Sequence, residues 1–244
     1  MADPFFNYFR EERNSISRNV YEGTQGSFSC KEYPRFPQIF LPPPIKLEHS
    51  LSGILEKRKS TRSFIAEPLS LLEISSLLFW SMGMLNSHTQ GETKHRMHPS
   101  GGAKFPIECY PLIIKKGELT RGIYHYNSFK HVLEKIASEE ILNNDVLWSS
   151  FAYPFVRDAA VVLVFSFVKE RSIQKYGGLA YKLGLLEAGH IGQNVYLVST
   201  ALNLGCCALG FGLQEVKSLH SLFDLDGSNE SLCYAIAIGR PVQK

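Results

Sequence analysis

The sequence predicts an α+β fold: a mixed central β-sheet flanked by helices, with one long central helix. Three observations lead there. Ala159–Val168 is almost wholly apolar and β-branched, the mark of a strand buried on both faces. Tyr181–Asn203 has the length and composition of a long buried helix, with Gly205 placed to suit its C′ position. Shorter apolar runs at Glu108–Lys115, Cys206–Phe211 and Leu232–Ile238 read as further strands, with a helix near 213–222 between the last two. With 244 residues, 44% hydrophobic and 20% charged, the chain suits one globular domain with a sizeable core.

From the N-terminus, residues 1–50 are rich in Phe, Tyr, Pro and charge and end in Leu41-Pro42-Pro43-Pro44. So many aromatics argue for an irregular arm that wraps the domain or a partner subunit, and against a plain solvated tail. The domain proper is expected over 51–244. A helix starts after Pro68: Ser70 and Glu73 fit a capping box, and Leu71, Ile74, Leu77, Leu78 and Met82 keep the 3.6-residue period. Gly83–Lys94 reads as a polar loop. No internal repeat is present.

The bulk numbers exclude several classes. A net charge of +3, scattered along the chain, gives no footprint for nucleic acid or an anionic membrane. No apolar run reaches a membrane span, and the first residues lack the basic-then-apolar pattern of a signal peptide. Five cysteines (Cys30, Cys109, Cys206, Cys207, Cys233) form no C-x-x-C pair and leave an odd one. They read as reduced thiols in a cytoplasmic protein. No metal site is expected, since Glu-x-x-His occurs once, without the paired motif of a di-iron bundle.

Two segments carry chemistry. Arg58-Lys59-Ser60-Thr61-Arg62-Ser63 packs three cations and three hydroxyls into six residues. A phosphate dianion needs that combination of guanidinium forks and neutral donors. Pro99-Ser100-Gly101-Gly102 opens a turn where backbone N–H groups can approach a flat ligand without a Cβ in the way. Together they point to a planar cofactor bearing a phosphate. Farther on, Glu187, His190 and Asn194 lie at i, i+3 and i+7, one polar stripe on an apolar helix that must meet a cofactor, water, another subunit or an internal network.

The run Arg58-x-Ser60-x-Arg62 resembles the opening of the nitroreductase superfamily. Pro99–Pro106, Gly122-Ile123-Tyr124-His125-Tyr126 and Leu186-Glu187-Ala188-Gly189-His190-Ile191-Gly192-Gln193-Asn194 resemble the SagB-like (McbC-like) thiazoline/oxazoline dehydrogenases within it, in the same order over roughly residues 50–241. The resemblance implies the nitroreductase fold as an intertwined homodimer, with one flavin mononucleotide (FMN) at each of two subunit interfaces. It assigns the flavin phosphate to Arg58 and Ser60, with Arg240 as a further candidate, and the pyrimidine edge to Arg62. Pro99, Ser100, Gly101, Gly102, Gln193 and Asn194 fall in its flavin-binding blocks, and Leu209-Gly210-Phe211-Gly212 lies where the family passes its backbone over the ring. The family's base is a cation followed by an aromatic just before the Leu-Glu block. Here the cation is Lys182, the next residue is Leu183, and the neighbouring hydroxyl is Tyr181.

The implied reaction is oxidation of a thiazoline or oxazoline, in a peptide or carrier-protein-bound intermediate of natural-product biosynthesis, to the aromatic azole. A base removes one ring hydrogen as a proton, flavin N5 takes the other as hydride, and dioxygen or another acceptor reoxidises the flavin. A cyclodehydratase or synthetase would be the partner that makes the azoline. An NAD(P)H-dependent nitro or quinone reductase is an alternative in the same fold, which needs no dinucleotide fingerprint, and Leu183 in place of the family's aromatic leaves open a flavin-holding subunit without turnover.

Overall fold

Every residue from Val161 to Val168 is buried, and their alternation organises the molecule. Leu163, Phe165 and Phe167 point into one hydrophobic core, Val162 and Val164 into a second on the other side of the sheet. The computed structural model describes residues 31–85, 95–210 and 216–242. In chain order its elements are β1 (Gln38–Phe40), α1 (Leu51–Lys57), β2 (Phe64–Ile65), α2 (Leu71–Met82), β3 (Met84–Leu85), β4 (His95–Arg96), β5 (Ile107–Ile113), β6 (Gly122–Asn127), β7 (Val132–Ala137), α3 (Asp145–Ser149), β8 (Val161–Val168), α4 (Glu170–Tyr176), α5 (Leu179–Ala201), β9 (Gly205–Leu209), α6 (Val216–Leu222) and β10 (Glu230–Pro241), with short 3-10 turns between.

The main sheet runs β1-β7-β6-β5-β8-β10-β2, with β9 also paired to β10. Its ladders are antiparallel, and the sheet is mixed through one parallel bridge, Ser60 to Cys206. Helices α2 and α5 cover one face with Leu77, Leu78, Met82, Ile191, Val195 and Val198. Short helices and the turn after the last of them cover the other, contributing Leu147, Leu219 and Phe223. The result is three layers with two cores, the sandwich of an α+β domain.

Local chemistry explains the helix ends. Ser70 and Glu73 form the capping box their spacing predicts. At the end of α5 the expected C′ glycine is displaced by two residues. Asn203 adopts the left-handed conformation (φ 57), with Leu204 N–H donating to the Ser199 carbonyl and Asn203 N–H to that of Thr200. That is a Schellman cap with asparagine in the glycine place. Gly205 instead begins β9, where a Cβ would strike Thr61 at 2.7 Å.

The described part of the arm, residues 31–50, lies on its own domain. Strand β1 extends the sheet at β7, and the Ile45 N–H and carbonyl bond Ser76 Oγ and Trp80 Nε1 of α2. Residues 1–30, with Cys30, and most of the expected Gly83–Lys94 loop lie outside the described residues.

Candidate active site

Where α5 approaches the start of β9, a corner of polar donors forms at the surface. Arg58 closes α1, its N–H bonded to Ile54 O, and its guanidinium sits 5.4 Å from the centre of the Tyr196 ring. The Tyr196 hydroxyl accepts the Ala208 N–H at 2.9 Å and lies 3.0 Å from Ser60 Oγ. Thr61 N–H donates to Cys206 O at 2.8 Å and fixes the strand carrying Ser60 against β9. Lys59, Ser60 and Arg62 are exposed, and Arg62 makes no hydrogen bond or ion pair among the described residues. Hydroxyls and guanidinium groups thus converge at an open edge with no carboxylate attached, a donor set that fits a phosphate dianion. Burial pushes the adjacent Cys206 thiol up to about 12, so this cysteine stays a packing group.

Tyr196 was not singled out from sequence. A tyrosine on a helix reads as packing; the available signal was its place one turn beyond Gln193 on the exposed side of α5.

The double glycine lies at the other end of α5. Gly101–Ala103 form a 3-10 turn with Gly102 at φ 60. A Cβ on Gly101 would sit 3.2 Å from Leu183 Cδ1, and one on Gly102 would collide with the Tyr176 hydroxyl. Part of the glycine requirement therefore comes from close packing on α4 and α5, beside any approach of a ligand. Leu183, standing where the family has an aromatic residue, packs against this turn. Pro99 is exposed, and Ser100 Oγ accepts the Phe105 N–H at 2.8 Å. Tyr181 is half-exposed with its ring 5.5 Å from that of Phe167, and Lys182 is exposed.

The remaining candidates divide. Gln193 and Gly210 are exposed and Leu209 is buried in β9; Phe211 and Gly212 lie outside the described residues. Asn194 spends its amide on the carbonyls of Ser81 and Met97, at 3.1 and 2.9 Å, tying α5 to α2 and the β3–β4 segment. Arg240 is claimed by carboxylates: its Nη2 is 3.0 Å from Glu73 and its Nε 3.5 Å from Glu67. Antiparallel pairing of β10 with β2 sets Arg240 opposite Ile65 beside both acids, so the guanidinium expected at the phosphate is here paired with carboxylates. In the polar stripe, Glu187 reaches the buried His98 at 3.3 Å, whereas His190 is exposed. Burial lowers the His98 pKa, with Glu187 working against it.

A second polar cluster lies under the opposite face of the sheet. His125 Nδ1 is 2.8 Å from Glu134 and its Nε2 is 3.1 Å from Glu108, all three side chains buried. Arg171 reaches Glu108 at 2.5 Å. Tyr110 and Ser166 both donate to Glu230, and Lys31 pairs with Glu230 at 2.6 Å. Burial alone would strip the proton from His125, yet the two carboxylates hold it and raise the pKa. Burial alone would raise Glu108 and Glu134; Arg171 with His125 keeps Glu108 well below the usual carboxylate range, and His125 lowers Glu134.

Fold and corner together define an oxidoreductase class. The structure of a protein assigned as a nitroreductase in Ralstonia eutropha superposes with a TM-score of 0.69 at 26% identity, covering 91% of this chain and 97% of that one. One from Desulfovibrio desulfuricans, in complex with FMN, gives 0.57 at 21%, covering 80% and 88%. A chain of the Escherichia coli microcin synthetase McbBCD complex, with truncated pro-MccB17 bound, gives 0.62 at 20%, covering 99% and 95%. Residues 55–240 match the model of the Nitroreductase family, and the chain belongs to it.

By sequence it is 31% identical over 173 residues to a protein assigned as a nitroreductase in Methanocaldococcus jannaschii, covering 70% of this chain and 84% of that one. It is 27% identical over 143 residues to the microcin B17-processing protein McbC of E. coli, and 28% identical over 162 to the trifolitoxin-processing protein TfxB of Rhizobium leguminosarum. Those alignments take in 56% and 64% of this chain, and only 50% and 42% of the processing proteins.

Proposed function

We propose that this nitroreductase-family oxidoreductase binds FMN and dehydrogenates thiazoline or oxazoline rings, carried on a peptide or carrier protein, to thiazoles or oxazoles. The observation that carries the reading is the layout along α5. Arg58, Ser60, Tyr196 and the Ala208 N–H lie at one end; at the other, Leu183 packs on the Gly101–Gly102 turn, with Lys182 and Tyr181 preceding it in the same helix. Tyr196 lies fourteen positions beyond Lys182 along the helix, roughly 21 Å.

The exposed side of α5 between them carries Tyr181, Leu185 and Leu186, respectively 49%, 60% and 50% exposed, which is much apolar surface for a monomer. A second copy laid antiparallel across this face brings the phosphate corner of one subunit to the Lys182 end of the other, an isologous homodimer with two equivalent sites. In that arrangement Arg58 and Ser60 would hold the phosphate, with Arg62 toward the ring edge and Pro99–Gly102, Gln193 and the backbone at Leu209 and Gly210 bordering the ring.

When bound, FMN supplies the two-electron acceptor. Lys182 removes the ring proton, and Arg62 places positive charge where negative charge develops. The similarity to two peptide-processing proteins supports a peptide substrate and a cyclodehydratase or synthetase partner. No helix among the described residues is long and apolar enough to cross a membrane, and the four described cysteines are free thiols, which fits a cytoplasmic protein.

The test is stopped-flow reduction of the flavin-loaded protein by an azoline peptide, with light scattering on the same sample. The reading expects FMN in the purified protein and twice the 27.5 kDa chain mass. It also expects Lys182→Ala to slow flavin reduction by about 10²- to 10⁴-fold with flavin retained. If Tyr181→Phe slows it and Lys182→Ala does not, the base is Tyr181. If neither variant matters and NAD(P)H reduces the flavin faster than any azoline, the nitro or quinone reductase reading replaces this one.

A further inference from the structure

A cleft of about 490 Å³ opens where the β5–β6 connection meets the turn before β8, and its lining is one-signed. Lys115, Lys116 and Arg121 come from that connection and Arg157 from the turn, with Trp148 of α3 as a wall; no carboxylate lines it. None of the four cations forms an ion pair among the described residues. The contacts that build the cleft are neutral or one-sided. Lys115 Nζ donates to the Arg157 carbonyl at 3.0 Å, the Arg157 guanidinium lies 4.5 Å from the centre of the Trp148 indole, and Trp148 Nε1 donates to Leu142 O. Arg121 Nε is shielded from solvent and has no hydrogen-bond partner among the described residues.

Four like charges around one concavity repel each other and raise the local concentration of anions. A shielded guanidinium N–H without an acceptor is a donor that folding has left unsatisfied. Solvated surface lysines account for neither feature. The volume falls within the range of small-molecule sites.

We propose that this cleft binds the pyrophosphoryl group of a small molecule, either free pyrophosphate or the diphosphate of a nucleotide. One carboxylate would leave most of the lining charge uncompensated. A diphosphate carries several charges on closely spaced oxygens, suited to guanidinium forks from Arg121 and Arg157 and to point charges from Lys115 and Lys116. The cleft shares no lining residue with the Arg58 corner and does not depend on the proposed reaction.

The experiment is calorimetric titration of the flavin-loaded full chain with inorganic pyrophosphate and with ADP, at low and high salt. The proposal expects one saturable site per chain, weakened by added salt and by at least about tenfold in Arg121→Gln and in Lys116→Glu, with flavin content and melting temperature unchanged. Lys116 is exposed, so its variant folds even if the Arg121 variant does not. Tighter binding of ADP than of pyrophosphate identifies a nucleotide ligand, and equal binding identifies the pyrophosphoryl group alone. Absence of saturable binding at low salt overturns the proposal. So does binding that survives Lys116→Glu but is lost in Arg58→Ala, which would place the anion in the other corner.

Discussion

The cluster around His125 and the corner around Arg58 are both rich in charge and hydrogen-bonding groups, yet they are built on opposite rules. In the first, both ring nitrogens of His125 meet carboxylates, Glu108 also meets Arg171, and Glu230 meets Lys31, Tyr110 and Ser166. The carboxylates, His125, Tyr110 and Ser166 are buried, Lys31 and Arg171 partly so, and strands β5, β6, β7, β8 and β10 are joined to helix α4 and to the arm at Lys31 and Tyr33. In the second, Tyr196 is the anchor that Arg58 and Ser60 share among the described residues, and Lys59 and Arg62 face solvent. Internal satisfaction under a sheet marks a device that holds the fold together. Donors fixed at an open edge without acceptors mark a place for something else to sit.

Breaking the first region has the largest expected effect. His125→Ala leaves Glu108 and Glu134 facing each other in a dry interior, and removing one partner of a buried charge network costs about 3–5 kcal/mol. Urea unfolding measures the loss. A change below about 1 kcal/mol would mean that the cluster is ornamental and the contrast false.

The network also fixes the sign of the pH dependence. His125 has its pKa raised above the ordinary 6.5, so its contribution is complete below that value and disappears as pH rises through the raised one. Glu134 and Glu108 are lowered below the ordinary 4.5, so theirs is complete above that value and disappears as pH falls through the lowered ones. Stability from this source is therefore greatest between 4.5 and 6.5 and declines on the alkaline side as His125 loses its proton. Urea midpoints from about pH 5 to about pH 9 should show that alkaline limb in the parent and a flatter one in the His125 variant.

The second region breaks differently. Arg58→Ala removes a charge-assisted contact to the phosphate, a loss of roughly 2–3 kcal/mol or about 30- to 150-fold in FMN affinity. Because the Arg58 side chain makes no hydrogen bond among the described residues and its backbone bond to Ile54 survives the substitution, the unfolding free energy of the flavin-free protein should hardly move. Fluorescence titration of FMN alongside urea unfolding separates the two. An unchanged affinity would place the phosphate elsewhere.

These two regions differed as much in legibility as in construction. The corner could be read from sequence because its cations and hydroxyls are contiguous, Arg58 to Ser63, and the helix after Pro68 because its capping box and period agree. The buried cluster could not. Its members are scattered from Lys31 to Glu230, and His125, Asn127 and Glu134 interrupt the apolar alternation by which the β6–β7 hairpin would have announced itself. Arg240 shows the converse limit. Its position after an apolar strand suggested phosphate, but strand pairing brings it to Glu67 and Glu73, a consequence of register that no local pattern contains. The polar stripe on α5 divided in the same way, with Glu187 and Asn194 drawn into contacts with His98, Ser81 and Met97 from distant segments.

The smallest effect tests how firmly the open corner is seated. Asn203 ends α5 in the left-handed region and so turns the chain into β9, which carries the Ala208 N–H to Tyr196 and the Cys206 carbonyl to Thr61. A residue with a Cβ and no short polar side chain pays about 1–2 kcal/mol for that conformation, so Asn203→Ala should lower unfolding free energy by about 1 kcal/mol. Asn203→Gly, which meets no such strain, should match or slightly exceed the parent. Since the cap positions the corner without belonging to it, FMN affinity should fall by less than about tenfold in Asn203→Ala, against the larger loss in Arg58→Ala. If the alanine variant instead loses flavin as completely as Arg58→Ala while unfolding normally, the corner's geometry depends on this turn more than on the guanidinium, and its donors are held less rigidly than the Tyr196 contacts imply.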